Sequence, residues 1–181
     1  MVLLVQYTLI FASVLALVAL GGCFSEHSGV INIGLEGIMV MGALGGALAM
    51  KFLPATTPGI VLFILIVLAS VLVGMAFSLL LGFAAIHFNA DQTLVGTALN
   101  LMGTAAAVVI VRAINVAENP DNVSSTVVYR QAKQVFLVKI GDFEFNWFML
   151  IIVLAIIASH IVLYRTCLLY TSPSPRDRQK S

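Results

Sequence analysis

The stretch 52–88, FLPATTPGIVLFILIVLASVLVGMAFSLLLGFAAIHF, contains no Asp, Glu, Lys or Arg. As one straight helix it would be roughly 55 Å long, well beyond the roughly 30 Å of a bilayer's hydrocarbon core. Pro54 and Pro58 fall at its start, where proline suits a loop or a first helical turn. The run therefore predicts a helix that begins near Ile60 and whose crossing ends near Gly82. Residues 83–92 (FAAIHFNADQ) are then expected as a short segment at the membrane surface.

Working outward, four more apolar blocks appear. Residues 1–24, 92–111 and 147–164 carry no charge, and residues 29–50 carry only Glu36. Each has about the 20 residues that one helical crossing needs. Trp147 and Tyr164 bracket the last block, as interfacial aromatics do. Over the whole chain 61% of residues are hydrophobic and 9% charged, against roughly 45–50% and roughly 25% in soluble domains. There are too few charges to cover a water-facing surface. The expected fold is an all-α, polytopic transmembrane helical bundle with about five crossings, solvated by the lipid bilayer.

The same composition excludes several function classes. A formal net charge of +1 gives no footprint for nucleic acid. Cys23 and Cys167 are too few for a disulfide framework and lack metal-ligand spacing. Met39, Met41 and Met50 read as apolar filling, and His87 and His160 stand apart at interfacial positions. There is no G-x-x-x-x-G-K-[ST] phosphate loop, no H-E-x-x-H and no G-x-S-x-G. No catalytic residue, metal or cofactor is assigned, and any ATP hydrolysis belongs to another polypeptide.

Residues 113–146 form the long polar stretch. Within it, 123–129 and 135–140 are rich in β-branched residues and predict a small hairpin outside the membrane. After Tyr164-Arg165-Thr166 the character changes to CLLYTSPSPRDRQKS. Residues 167–177 back-translate to a string resembling the transposase end and adapter of sequencing libraries. Residues 167–181 are therefore set apart as a non-native translation, and 1–166 as the N-terminal part of a membrane domain that continues further. Without that tail, Arg176, Arg178, Lys180 and Asp177 leave the count and the net charge becomes −1.

The most informative polar stretch is 25–37, SEHSGVINIGLEG, lying between two apolar blocks. It holds the carboxylates Glu26 and Glu36, His27 and the amide Asn32, with Gly29, Gly34 and Gly37. A charge at mid-membrane costs on the order of 3 kcal/mol, so Glu36 is not expected to face lipid. Two readings stand on residues alone: a broken or re-entrant helix lining a polar cavity, or an ordinary polar loop. Asp91 is placed to cap the fourth block, with Gln92 beside it in the surface segment. Asn100 falls near the middle of that block, and its amide either bonds a neighbouring helix or faces a transport path. Gly42-xxx-Gly46 is expected to pack a helix closely.

GVINIGLEG behind a Ser-Glu pair, followed by ADQTLVGTALNL at 90–101, resembles the paired signatures of permeases from nucleoside and simple-sugar ABC importers. Tyr164-Arg165-Thr166 resembles the start of their cytoplasmic coupling loop. The similarity spans residues 1–166, with His27 standing where the family usually has arginine. The resemblance implies a multi-pass subunit in the bacterial cytoplasmic membrane working by alternating access, with Arg165 inside and the long polar loop outside. It implies a second permease subunit, two ATP-binding cassette subunits and an external or periplasmic substrate-binding lipoprotein as partners. Nucleosides are the favoured cargo over simple sugars, and Glu26, Asn32, Glu36 and Asn100 are the candidates for the substrate pathway or its gate.

Two rival readings have sequence support. Leu20-Gly21-Gly22-Cys23 resembles a lipoprotein cleavage box, but no basic residue precedes the apolar run and four more blocks follow it. An intramembrane enzyme could use Glu26, His27 and Glu36, but nothing else completes a catalytic constellation.

Overall fold

The computed structural model describes residues 2–27, 32–54, 56–128, 137–140 and 143–165. The first three residues of the GVINIGLEG signature (29–31), the strand ends expected at 129 and 135–136, and the tail from 166 onward lie outside these. The described chain is helical apart from one small hairpin. Its elements are α1 (Val2–His27), α2 (Leu35–Phe52), α3 (Gly59–His87), α4 (Gln92–Glu118), β1 (Leu137–Ile140), β2 (Phe143–Asn146) and α5 (Trp147–Arg165). The first four helices are long and apolar enough to cross a membrane, and α5 is a shorter apolar helix. The all-helical, multi-spanning class is as expected.

Two compact units divide the chain. In the first, α1 packs against α5 and the hairpin. Two buried serines on these helices are satisfied within their own turn, since an apolar surround offers them no water. Ser13 Oγ donates to Leu9 O at 2.7 Å and Ser159 Oγ to Ile156 O at 2.9 Å. The strands pair antiparallel with Leu137 opposite Asn146 and Ile140 opposite Phe143.

The second unit, residues 33–135, is built around α2, which packs on both α3 and α4. Phe77 and Leu81 of α3 and Leu99 of α4 form its buried centre, with Ile38, Met41 and Val95 packed around them. The outward faces are apolar: Ile60, Ile86, Leu94 and Leu101 are each more than 70% exposed. In water that surface would be a liability, whereas in lipid it is the expected exterior.

α2 approaches its neighbours backbone to backbone. A Cβ on Gly42 would stand 3.2 Å from Ser70 O, and one on Gly46 would collide with Ser70 Oγ. The close packing expected of this pair is therefore made with α3. Against α4 the approach is tighter still. A Cβ on Gly37 would lie 2.5 Å from Leu99 O, and one on Gly103 would lie 2.9 Å from Gly37 O.

Two expectations are corrected. The third helix does not stop near Gly82 but continues to His87, so residues 83–87 are helix and not a separate surface segment. Ala84 and Ala85 favour helix, and the turn comes at Asn89, whose φ of 47° is the left-handed conformation asparagine tolerates. The hairpin does not join 123–129 to 135–140. β1 pairs with β2 instead, and residues 122–128 carry no regular secondary structure. Gly141-Asp142 between the two strands is a two-residue hairpin signal that outweighs a distant β-branched run.

Candidate functional site

The start of α2 is the place where local sequence leaves chemistry unfinished. Residues 32–34 are non-helical, and the residue preceding the helix is Gly34, which has no side chain to cap it. The first N–H groups of a helix have no partner within it. At membrane depth water cannot serve them, and each unpaired group costs several kcal/mol.

Asn100 of α4 supplies the missing cap. Gly37 N–H donates to Asn100 Oδ1 at 2.7 Å, and Asn100 Nδ2 donates to Ile33 O at 2.8 Å. Ile38 N–H closes the first turn onto Gly34 O at 3.1 Å. One amide thus ties both sides of the non-helical backbone to a neighbouring helix. The glycines make this reach possible: a Cβ on Gly96 would lie 2.9 Å from Gly34 N. Gly96, Asn100 and Gly103 recur at helical spacing and share one face of α4. α4 begins at Gln92, so this contact lies roughly 6–16 Å along its axis. The α2 terminus is inset within the bundle.

The other expected residues divide between the two units, with Glu26, His27 and Asn32 in the first and Glu36, Asp91 and Gln92 in the second. Glu36 stands in the first turn of α2, exposed, where a carboxylate suits the positive end of the helix dipole. Asn32 Oδ1 is buried without a hydrogen-bond partner. Glu26 lies exposed in the last turn of α1, and His27 Nδ1 bonds Cys23 O at 2.8 Å. Asp91 caps α4 as expected, accepting from Thr93 N–H at 2.8 Å, and Gln92 is the first residue of that helix. Among the described residues no three His, Cys, Asp or Glu side chains gather as a metal site.

Lys51, Asn115 and Glu118 were not singled out from the sequence. Lys51 Nζ lies 2.9 Å from Glu118 Oε2 and donates to Asn115 Oδ1 at 3.2 Å. A signal existed: Asn115 lies four turns beyond Asn100, rotated by only about 60° on the same helix.

The family model for the permease component of branched-chain amino acid transport systems matches residues 4–168. The guanosine ABC transporter permease protein NupQ of Bacillus subtilis is 45% identical over 116 residues, 62% of this chain and 35% of that protein. The nucleoside ABC transporter permease protein NupC of Lactococcus lactis is 36% identical over 110 residues, 61% of this chain and 34% of its own. A putative glucose ABC transporter permease protein of Haloferax volcanii, TsgC13, is 37% identical over 101 residues, 56% of this chain and 29% of its own. These matches span about a third of the relatives' length. No solved structure gives a significant match.

Proposed function

The chain belongs to the family of permease components of branched-chain amino acid transport systems, and from that premise we propose that it is a membrane-spanning permease subunit of an ATP-driven nucleoside importer. The family match runs through Cys23, which lies inside α1, and this supports the permease reading over the lipoprotein one. The cargo is suggested by the guanosine and nucleoside permeases among its relatives. The putative glucose permease keeps simple sugars as the second reading.

The observation that carries the site is the Asn100 bridge to Ile33 and Gly37. It holds a helix terminus and non-helical backbone between two apolar, span-length helices, and in our reading this break lies at membrane depth, where it is tolerated if enclosed by protein or lining a polar cavity. Free N–H groups of the α2 first turn can donate to carbonyl or hydroxyl oxygens of a nucleoside. The Glu36 carboxylate can accept from its hydroxyls or exocyclic amine. Glu26 and Asn32 are proposed separately, from the sequence, as candidates for the pathway or its gate. Two cassette ATPases, a second permease subunit and an external binding lipoprotein complete the machine in the bacterial cytoplasmic membrane.

The test is uptake of radiolabelled guanosine by cells or proteoliposomes carrying the assembled transporter. Glu36→Gln and Asn100→Leu should each lower uptake at least fivefold while the protein still reaches the membrane. Unchanged uptake in both removes the α2 terminus from the pathway. Competition by excess ribose or glucose, but not by unlabelled nucleoside, would turn the cargo assignment to sugars.

A further inference from the structure

A second polar cluster sits at the far end of α2 within the same unit. The Lys51 side chain, in the last turn of α2, is only 10% exposed, and its ammonium is held by Glu118 and Asn115. Asn115 is 3% exposed and uses both halves of its amide. Oδ1 accepts a hydrogen bond from Lys51 Nζ, while Nδ2 donates to Ser124 O at 2.9 Å and Thr126 O at 3.0 Å. Residues 122–126 complete their own bonding locally. Ser124 N–H donates to Asn122 Oδ1, and Thr126 N–H donates to Ser124 Oγ.

A buried ammonium is tolerated only when its charge and protons are met. Here Glu118, more than half exposed, supplies the charge, and Asn115 supplies the buried acceptor. Since each half of the Asn115 amide serves a different element, three pieces of chain meet at one side chain. They are the end of α2, the end of α4 and the extended segment after it. Asn100 holds the other end of α2. α4 therefore grips α2 by an amide at each end, about 22 Å apart along its axis.

We propose that Lys51, Asn115 and Glu118 are positioning residues for transport, a latch that makes α2, α4 and residues 122–128 move as one body. The transport consequence rests on the permease reading, and the mechanical claim does not. With the latch closed, a displacement at the inset terminus of α2 is delivered to the segment beyond α4. With it open, the segment is uncoupled and the far end of α2 is held by its α3 contacts alone.

The experiment places spin labels at Ile60→Cys and Val123→Cys, both exposed positions, in the assembled transporter in nanodiscs. Cys23 is replaced by serine. Electron-electron double resonance should give one narrow distance distribution. Asn115→Leu and Lys51→Met should broaden it at least twofold. Asn115→Asp is the variant that keeps an acceptor for Lys51 and loses the donor to Ser124 and Thr126. It should broaden the distribution while the chain inserts normally. Uptake should fall at least threefold in each variant at equal membrane content. An unchanged distribution in Asn115→Asp and Asn115→Leu overturns the latch. Broadening with undiminished uptake overturns its role in transport. A silent transporter in which the permease continues past Thr166 in its native frame would instead sink the permease reading and leave the distances interpretable.

Discussion

Replacing Asn100 by leucine removes two hydrogen bonds at once, Gly37 N–H to Oδ1 and Nδ2 to Ile33 O. Leucine has similar volume, so cavity formation contributes little and the loss is electrostatic. A buried donor or acceptor left unpaired costs about 1–3 kcal/mol in soluble proteins, which would give up to about 6 kcal/mol here. Interhelical hydrogen bonds in membranes average only about 0.6 kcal/mol and reach about 1.7 kcal/mol, because the separated helices find other partners. The membrane values govern, so two bonds give about 1–2 kcal/mol. That corresponds to about 5–30-fold in the equilibrium opening of the α2 first turn. Hydrogen exchange followed by mass spectrometry on a peptide covering residues 33–40 reads this directly. Exchange should accelerate by that factor in Asn100→Leu. In Asn100→Asp, which keeps the acceptor for Gly37 and loses the donor to Ile33, the acceleration should be smaller. Exchange in the leucine variant indistinguishable from the parent would refute the capping role and the site reading built on it.

Glycine substitutions should separate sharply by position. Gly37→Ala and Gly103→Ala push a Cβ into backbone atoms at 2.5–2.9 Å, and overpacking of this kind costs about 1–3 kcal/mol. Thermal unfolding of the purified protein should show it. Gly82→Ala has nothing within 4 Å of the new Cβ and should be neutral or stabilise by about 0.5–1 kcal/mol, the helix preference for alanine. Asp91→Ala should destabilise by about 0.5–2 kcal/mol through loss of the α4 cap, while Asp91→Asn should retain most of it in the same melts. Lys51→Met should cost more than Glu118→Gln in those melts, because the ammonium leaves Asn115 Oδ1 buried and unpaired whereas Glu118 is largely solvated.

The helices were legible because each depends on composition within a window of about 20 residues. Residues 147–164 are an example: the expected block and the observed Trp147–Arg165 differ by one residue at the end. Local stereochemistry was legible too, as in the Asp91 cap, where donor and acceptor are two residues apart. The break before Leu35 was legible as a conflict between charge, glycine and lipid. Its resolution by Asn100 was legible only as one of two alternatives, because its bonds to Ile33 and Gly37 join parts of the chain more than sixty residues apart. Lys51 was passed over for the same reason. A lone lysine ending an apolar block reads as an interfacial residue, and its partners Asn115 and Glu118 become neighbours only after α2 and α4 pack. The hairpin shows the opposite failure. Its turn signal was local, and the β-branched run at 123–129 was favoured over 143–146 as the partner of 135–140.

The dependence of the α2 terminus on Asn100 also bears on how the chain is made. α2 is the shortest and least apolar of the four long helices, and several of its positions are glycine. It is synthesised before Asn100. In that interval its first turn has no partner for Gly37 N–H, and its glycine faces have only α3 to cover them. Its residence in the bilayer is therefore provisional until α4 arrives. Completion of α4 is the step that commits α2 to the membrane.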